Sequence, residues 1–149
     1  VYSSTSTAAI GVACHEAGHA VQYAENYGPI KLRAAIIPIT NIGSRLAMPL
    51  ILAGILFTFL GNFSNVLVDL GIAAFGLSFV FQMVTLPVEF NASRRAMSAI
   101  SQSNILSEEE QRGAQKTLRA AAMTYVAAAI ASLLSLLRLI ILFGGRRRD

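Results

Sequence analysis

The chain has 149 residues, enough for one compact domain. Charged residues make up 13% against about a quarter in a soluble domain, hydrophobic residues 54%, and the mean hydropathy is +0.58; this excludes an ordinary soluble domain and points to a lipid bilayer. The net charge of +4 does not signal nucleic acid, because the basic residues sit at the ends of apolar runs, where membrane proteins place them, and not on a basic surface dotted with aromatics.

Taken in chain order, the sequence opens on Val1 instead of Met, in a Ser/Thr-rich stretch. This predicts a further N-terminal part holding a targeting segment or another span. A helix is expected over residues 5–25, with Ser3, Ser4 and Thr5 as caps and the run from Asn26 to Pro29 as its end. A connector with Lys31, Arg33 and Pro38 follows. Two apolar runs, 46–63 and 66–86, read as a transmembrane helical hairpin turning at residues 61–65 and closed by Pro87. Residues 88–119 are read as a further helix with a polar segment. Within it, Ser107 and the acids Glu108, Glu109 and Glu110 mark a helix start. A last apolar helix is expected over 120–143, with Arg138 inside it. The whole is read as a single all-α membrane domain over 1–149, with no internal repeat.

Positive charge sets the orientation. The turn at 61–65 has no Lys or Arg, whereas its flanks carry Lys31, Arg33, Arg45, Arg94 and Arg95. The flanks are therefore expected on the cytoplasmic side of a multi-pass cell-membrane protein. A full crossing of the last run puts Arg146, Arg147 and Arg148 outside, against that bias.

The chemistry concentrates in His15-Glu16-Ala17-Gly18-His19, which holds both histidines of the chain. Spacing of four on a helix puts both imidazoles on one face, within reach of one zinc ion. Glu16 lies beside the metal, where a carboxylate can take a proton from water. By chance the pattern arises in about one chain in a few hundred of this length. Cys14 is the single cysteine, so no internal disulfide forms. It is read as a small packed side chain, because adjacent helical residues point about 100° apart and do not readily share a metal.

Catalytic zinc needs a third protein ligand. No third histidine exists, so the candidates are Glu25, Asp69, Glu89, Glu108, Glu109, Glu110 and Asp149. Glu25 shares the motif's helix but points elsewhere, Asp69 belongs to the far membrane end, and the triple Glu looks like a solvated helix start. Glu89 is favoured: it follows a span that returns the chain to the motif's side, in an apolar setting where an unpaired carboxylate is costly. The competing reading pairs it with Arg94 or Arg95. Asn91, Ser93, Arg94 and Arg95 are candidates to orient ligands or bind substrate, with an anchor at the membrane interface an equal reading for the arginine pair. Arg94 and Tyr125 are candidates to steady an oxyanion, and Arg138 is expected either to snorkel or to pair with a buried acid such as Glu89.

Four segments carry a resemblance: residues 13–22 around the His motif, Asn41-Ile42-Gly43-Ser44-Arg45, the run 86–96 around Glu89, and the run 119–126. Together they resemble the YugP-type neutral zinc metallopeptidases of bacterial membranes, over nearly the whole chain. The resemblance implies zinc, a peptide or membrane-protein substrate and a further N-terminal span. The Glu89 segment is also similar to the Glu-x-x-Ala-Asp element of HtpX and CAAX-prenyl membrane proteases, which implies that Glu89 is the third zinc ligand; Ser93 stands where those families have Asp. The FtsH-type and site-2 proteases fit less well, for want of an ATPase motor and of a Leu-Asp-Gly element.

The expectation is thus an all-α membrane bundle with a zincin-like motif helix and a transmembrane hairpin. It is expected to act as a zinc metalloendopeptidase at the cytoplasmic interface. The rival readings are an inactive membrane scaffold that keeps the site, or a zinc-binding sensor or transporter. Oligomeric state is not readable.

Overall fold

A computed structural model describes residues 6–144. The caps expected at Ser3, Ser4 and Thr5, the terminal Arg146, Arg147 and Arg148, and the ligand candidate Asp149 lie outside these residues. The described chain is all-α. Helix α1 is Thr7–Ala24, α2 Gly28–Leu56, α3 Asn62–Ser103 and α4 Glu108–Phe143, with a short 3-10 turn at Thr58–Leu60.

Local chemistry explains the ends. Ser6 caps α1, its Oγ accepting from the Ala9 N–H at 3.2 Å. Asn26 then takes φ 57°, a left-handed geometry that asparagine tolerates, and Tyr27 N–H returns to the Gln22 carbonyl at 2.9 Å. Pro29 falls in the first turn of α2, where its missing N–H costs nothing. At the expected start of α4, Ser107 and Glu110 form a reciprocal cap: Glu110 N–H to Ser107 Oγ at 3.3 Å, Ser107 N–H to Glu110 Oε2 at 2.8 Å.

Three expected boundaries move. The connector after residue 26 is helical, since α2 runs from Gly28 through Pro38 and Pro49. Pro87 does not close its helix but lies inside α3. A proline in a helix interior removes one hydrogen bond, a cost of about 3 kcal/mol that packing on either side can offset. Beyond Pro87, Val88, Glu89, Ala92 and Ala96 are all buried, which holds α3 helical to Ser103. The helix expected over 88–119 is therefore split: its Glu89 half is the end of α3, and its latter half begins α4, which continues unbroken through the last apolar run.

The chain forms two compact units, and α2, α3 and α4 contribute to both. The first takes Val1–Arg33 and Val84–Ala127. Its core has Ile100, Leu106 and Ala114, with Ile10, Cys14 and Met97 against them. Cys14 is thus the packed side chain expected from its position.

The second unit takes Ala34–Met83 and Ala128–Asp149. Here α2 and α3 pack through reciprocal glycines. A Cβ on Gly54 would lie 2.7 Å from the Ser64 carbonyl oxygen, and one on Gly71 2.7 Å from that of Ala47. Small residues at such crossings let apolar helices approach where no hydrophobic effect drives them together. Large apolar side chains point outward, among them Leu52, Leu56, Phe63, Leu70, Leu134 and Ile141, all above half exposed. Helices α2, α3 and α4 are each long and apolar enough to cross a membrane.

Candidate metal centre

The first unit brings together residues 74 positions apart. His15 and His19 on α1 face Glu89 on α3. His15 Nε2 lies 3.1 Å and His19 Nε2 3.6 Å from Glu89 Oε2. The imidazoles meet edge to face with centroids 4.7 Å apart, and the three ligand atoms lie within 4.8 Å of one another. Two atoms bound to one tetrahedral zinc at about 2.0–2.1 Å are about 3.3 Å apart. The two separations to Glu89 bracket that value.

The close approach of α1 to α3 depends on Gly18. A Cβ there would sit 2.8 Å from the backbone oxygen of Ala92, which is fully buried. Gly18→Ala is expected to force the helices apart and cost about 1–3 kcal/mol, a strain of the overpacking kind. The measurements are thermal midpoint and zinc affinity, both expected to fall.

A chain of hydrogen bonds fixes how His19 is presented. Arginine only donates. Arg95 Nε donates to Asn91 Oδ1 at 2.8 Å, so the oxygen of Asn91 faces it. Gln22 Nε2 then donates to that same oxygen at 2.9 Å and to the Val88 carbonyl at 2.8 Å. This turns Gln22 Oε1 to His19 Nδ1 at 2.9 Å, where it accepts Nδ1–H. In the neutral ring, His19 Nε2 is left as a lone pair aimed at a carboxylate oxygen. Two lone pairs facing each other need a cation between them, and so the donor set fits a zinc ion. At His15 the other nitrogen, Nδ1, is held by Ser93 Oγ at 3.1 Å. Gln22→Leu keeps the volume of this fully buried side chain and removes the orienting bond. It is expected to lower zinc affinity about 10–100-fold, read by competitive chelator titration.

Glu89 is 2% exposed. Its second oxygen, Oε1, is taken by Arg33 Nη1 at 3.0 Å, which leaves Oε2 turned to the two imidazoles. The counter-ion is thus Arg33 from α2, not Arg94, Arg95 or Arg138. Arg95 instead reaches back to α1, Nη2 donating to Glu25 Oε2 at 2.6 Å. That hydrogen bond first, and the charge of Arg95 second, hold the Glu25 carboxyl below the ordinary carboxylate range. A depressed value means stability that is present above about pH 4.3 and is lost as pH falls through the lowered value. The group is exposed, so the effect is small; Glu25→Gln is expected to make the acid limb of stability shallower in a denaturation series from pH 6 to 3.

Beside the cluster is a cavity of about 180 Å³. His15, Glu16, Glu89, Ser93 and Tyr125 line it. Glu16, one residue past the first histidine, therefore opens onto the same space as two of the ligand candidates. Tyr125 lines the cavity and Arg94 does not, which separates the two oxyanion candidates. Asn91, Ser93 and Arg95 all enter the orienting network; Arg94 stays exposed outside it. From the sequence, Gln22 has no assigned role and Arg33 counts only among the basic flanks, not at the site. Gln22 follows His19 by three on the same helix, within hydrogen-bond reach; Arg33 left no local signal, since only the turn at Asn26 brings α2 across the site.

A family model described as "Putative neutral zinc metallopeptidase" matches residues 1–144, and the chain belongs to this family. It is similar to a Bacillus subtilis (strain 168) protein described as "Putative membrane protease YugP", with 47% identity over 143 residues. The match covers 96% of this chain and 61% of that protein, so the chain spans under two thirds of the relative's length. No solved structure matches it.

Proposed function

We propose that this protein is a zinc metalloendopeptidase of a bacterial cell membrane, cutting peptide or membrane-protein substrates at the cytoplasmic interface. The carrying observation is the cluster of His15, His19 and Glu89, with His19 Nε2 3.6 Å from Glu89 Oε2 and its Nδ1 against Gln22 Oε1, beside a cavity that Glu16 lines. Zinc bound by these three side chains supplies a Lewis acid, which acidifies water and polarises a carbonyl. Glu16 carries the proton: its carboxylate takes one from the attacking water and gives it to the departing amine. The phenolic O–H of Tyr125 is the donor for the carbonyl oxygen as it turns negative. Gln22 and Ser93 keep the imidazoles aimed, and Arg33 keeps Glu89 from turning away.

Membrane location rests on the three long apolar helices and on the outward apolar side chains. The apolar part of α3, residues 66–86, is roughly 31 Å long at 1.5 Å per residue, enough by itself to cross the hydrocarbon. The connection between α2 and α3 falls at residues 57–61, ahead of the expected 61–65, and is likewise uncharged; with the basic flanks it favours the cytoplasm for the Glu89 end.

The test is hydrolysis of fluorogenic peptides by the purified chain in detergent. Activity is expected to disappear on chelation and to return with stoichiometric zinc. Hydrolysis that survives chelation, or a stoichiometrically zinc-loaded protein inactive on a broad peptide library, overturns the reading.

A further inference from the structure

Next to the catalytic cavity is a second, larger space of about 470 Å³ between α3 and α4. Ser93, Leu118 and Ala122 line both, so the two spaces share a wall. Its floor is apolar: Phe90, Met97 and Met123 line it, with Phe90 41% and Met123 52% exposed. Two cations, Arg94 and Arg119, stand on it, one from each helix. Arg33, Arg95 and Arg112 each have a carboxylate partner. Arg94 and Arg119 have neither an ion pair nor a hydrogen bond among the described residues.

Resting on the peptidase reading above, we propose that this groove is a substrate subsite that selects a large apolar residue followed by a carboxylate, on the substrate segment next to the bond being cut. Apolar side chains of that segment cover Phe90, Met97 and Met123, while the carboxylate, from an acidic side chain or a chain end, takes the two guanidiniums. An extended chain advances about 3.3 Å per residue, so one lying in the catalytic cavity reaches the shared wall within one or two residues. Guanidiniums prefer carboxylate or phosphate over neutral groups through paired N–H donors. Continuity with the cavity that holds Glu16 favours a peptide over a phospholipid headgroup.

The experiment uses the zinc-loaded Glu16→Gln chain, which binds without cutting, and three labelled peptides that differ only in having Leu-Glu, Leu-Gln or Leu-Lys beside the scissile bond. Fluorescence anisotropy is expected to give the Leu-Glu peptide about tenfold tighter binding than Leu-Gln, a preference that shrinks as salt rises. Adding Arg94→Gln and Arg119→Gln is expected to bring that ratio near one, and Arg94→Glu with Arg119→Glu to turn it in favour of Leu-Lys. Equal binding of the three peptides overturns the subsite, and so does a preference that survives both substitutions. If the substitutions weaken binding only to phosphatidylglycerol vesicles and leave the peptide ratio alone, the arginines are lipid contacts and the subsite falls. Cleavage by the unsubstituted chain separates the two claims: cutting all three peptides equally sinks the subsite alone, whereas neither cutting nor binding any peptide sinks both.

Discussion

Glu16→Gln is expected to lower peptide hydrolysis about 10²–10⁴-fold while zinc remains bound. Glu16 lines the cavity but is not among the clustered ligand atoms, which are His15, His19 and Glu89. The amide keeps the shape and the neighbours and loses the ability to take a proton. Since the defect lies in proton transfer, it falls on kcat, with KM within a few-fold of the unsubstituted chain. Zinc content measured on the same preparation separates this from loss of metal. Full activity in Glu16→Gln sinks the assigned base.

Glu89→Ala is expected to act on the other half of the mechanism. It removes one of the three proposed ligands, and loss of an outer partner alone costs about 10–100-fold in metal affinity, so the drop is expected to exceed about 100-fold. It also strands Arg33, whose Nη1 loses its 3.0 Å partner and whose Nε is already buried with no partner among the described residues. Breaking one side of a buried pair costs about 3–5 kcal/mol. Arg33 keeps 27% side-chain exposure, so water recovers part of that, and a destabilisation on the order of 2 kcal/mol is expected. The double variant Glu89→Ala with Arg33→Met is expected to regain stability but not zinc. Zinc affinity unchanged in Glu89→Ala reopens the search for the third ligand.

The residues of the candidate site stand out in the sequence for local reasons. His15 and His19 declare themselves by spacing, and Glu89 is a carboxylate set in an apolar run, which is costly without a partner. Ser93 and Asn91 were singled out by standing near Glu89, and both enter the orienting network, Ser93 at His15 and Asn91 through Gln22. Arg33 was not legible, because its role arises from the direction in which α2 leaves the turn at Asn26. The helix ends show the same divide. The Ser107 to Glu110 cap is a local signal and appears where it was read. Pro38 and Pro87 are also local signals, but they misled: packing beyond Pro87 holds α3 together, and that is information from contacts distant in sequence. Because of it, Glu89 sits on the same helix as an apolar stretch long enough to cross a membrane, and not on a separate segment after it.

The central claim is that His15, His19 and Glu89 hold one zinc ion. Zinc X-ray absorption on the purified chain in detergent, with metal content measured in parallel, tests it most directly. One zinc per chain is expected, with a first shell of nitrogen and oxygen at about 2.0–2.1 Å and two imidazoles, lost in His19→Ala. A sulfur neighbour at about 2.3 Å, which would bring in Cys14, or zinc content unchanged in His19→Ala, would contradict it.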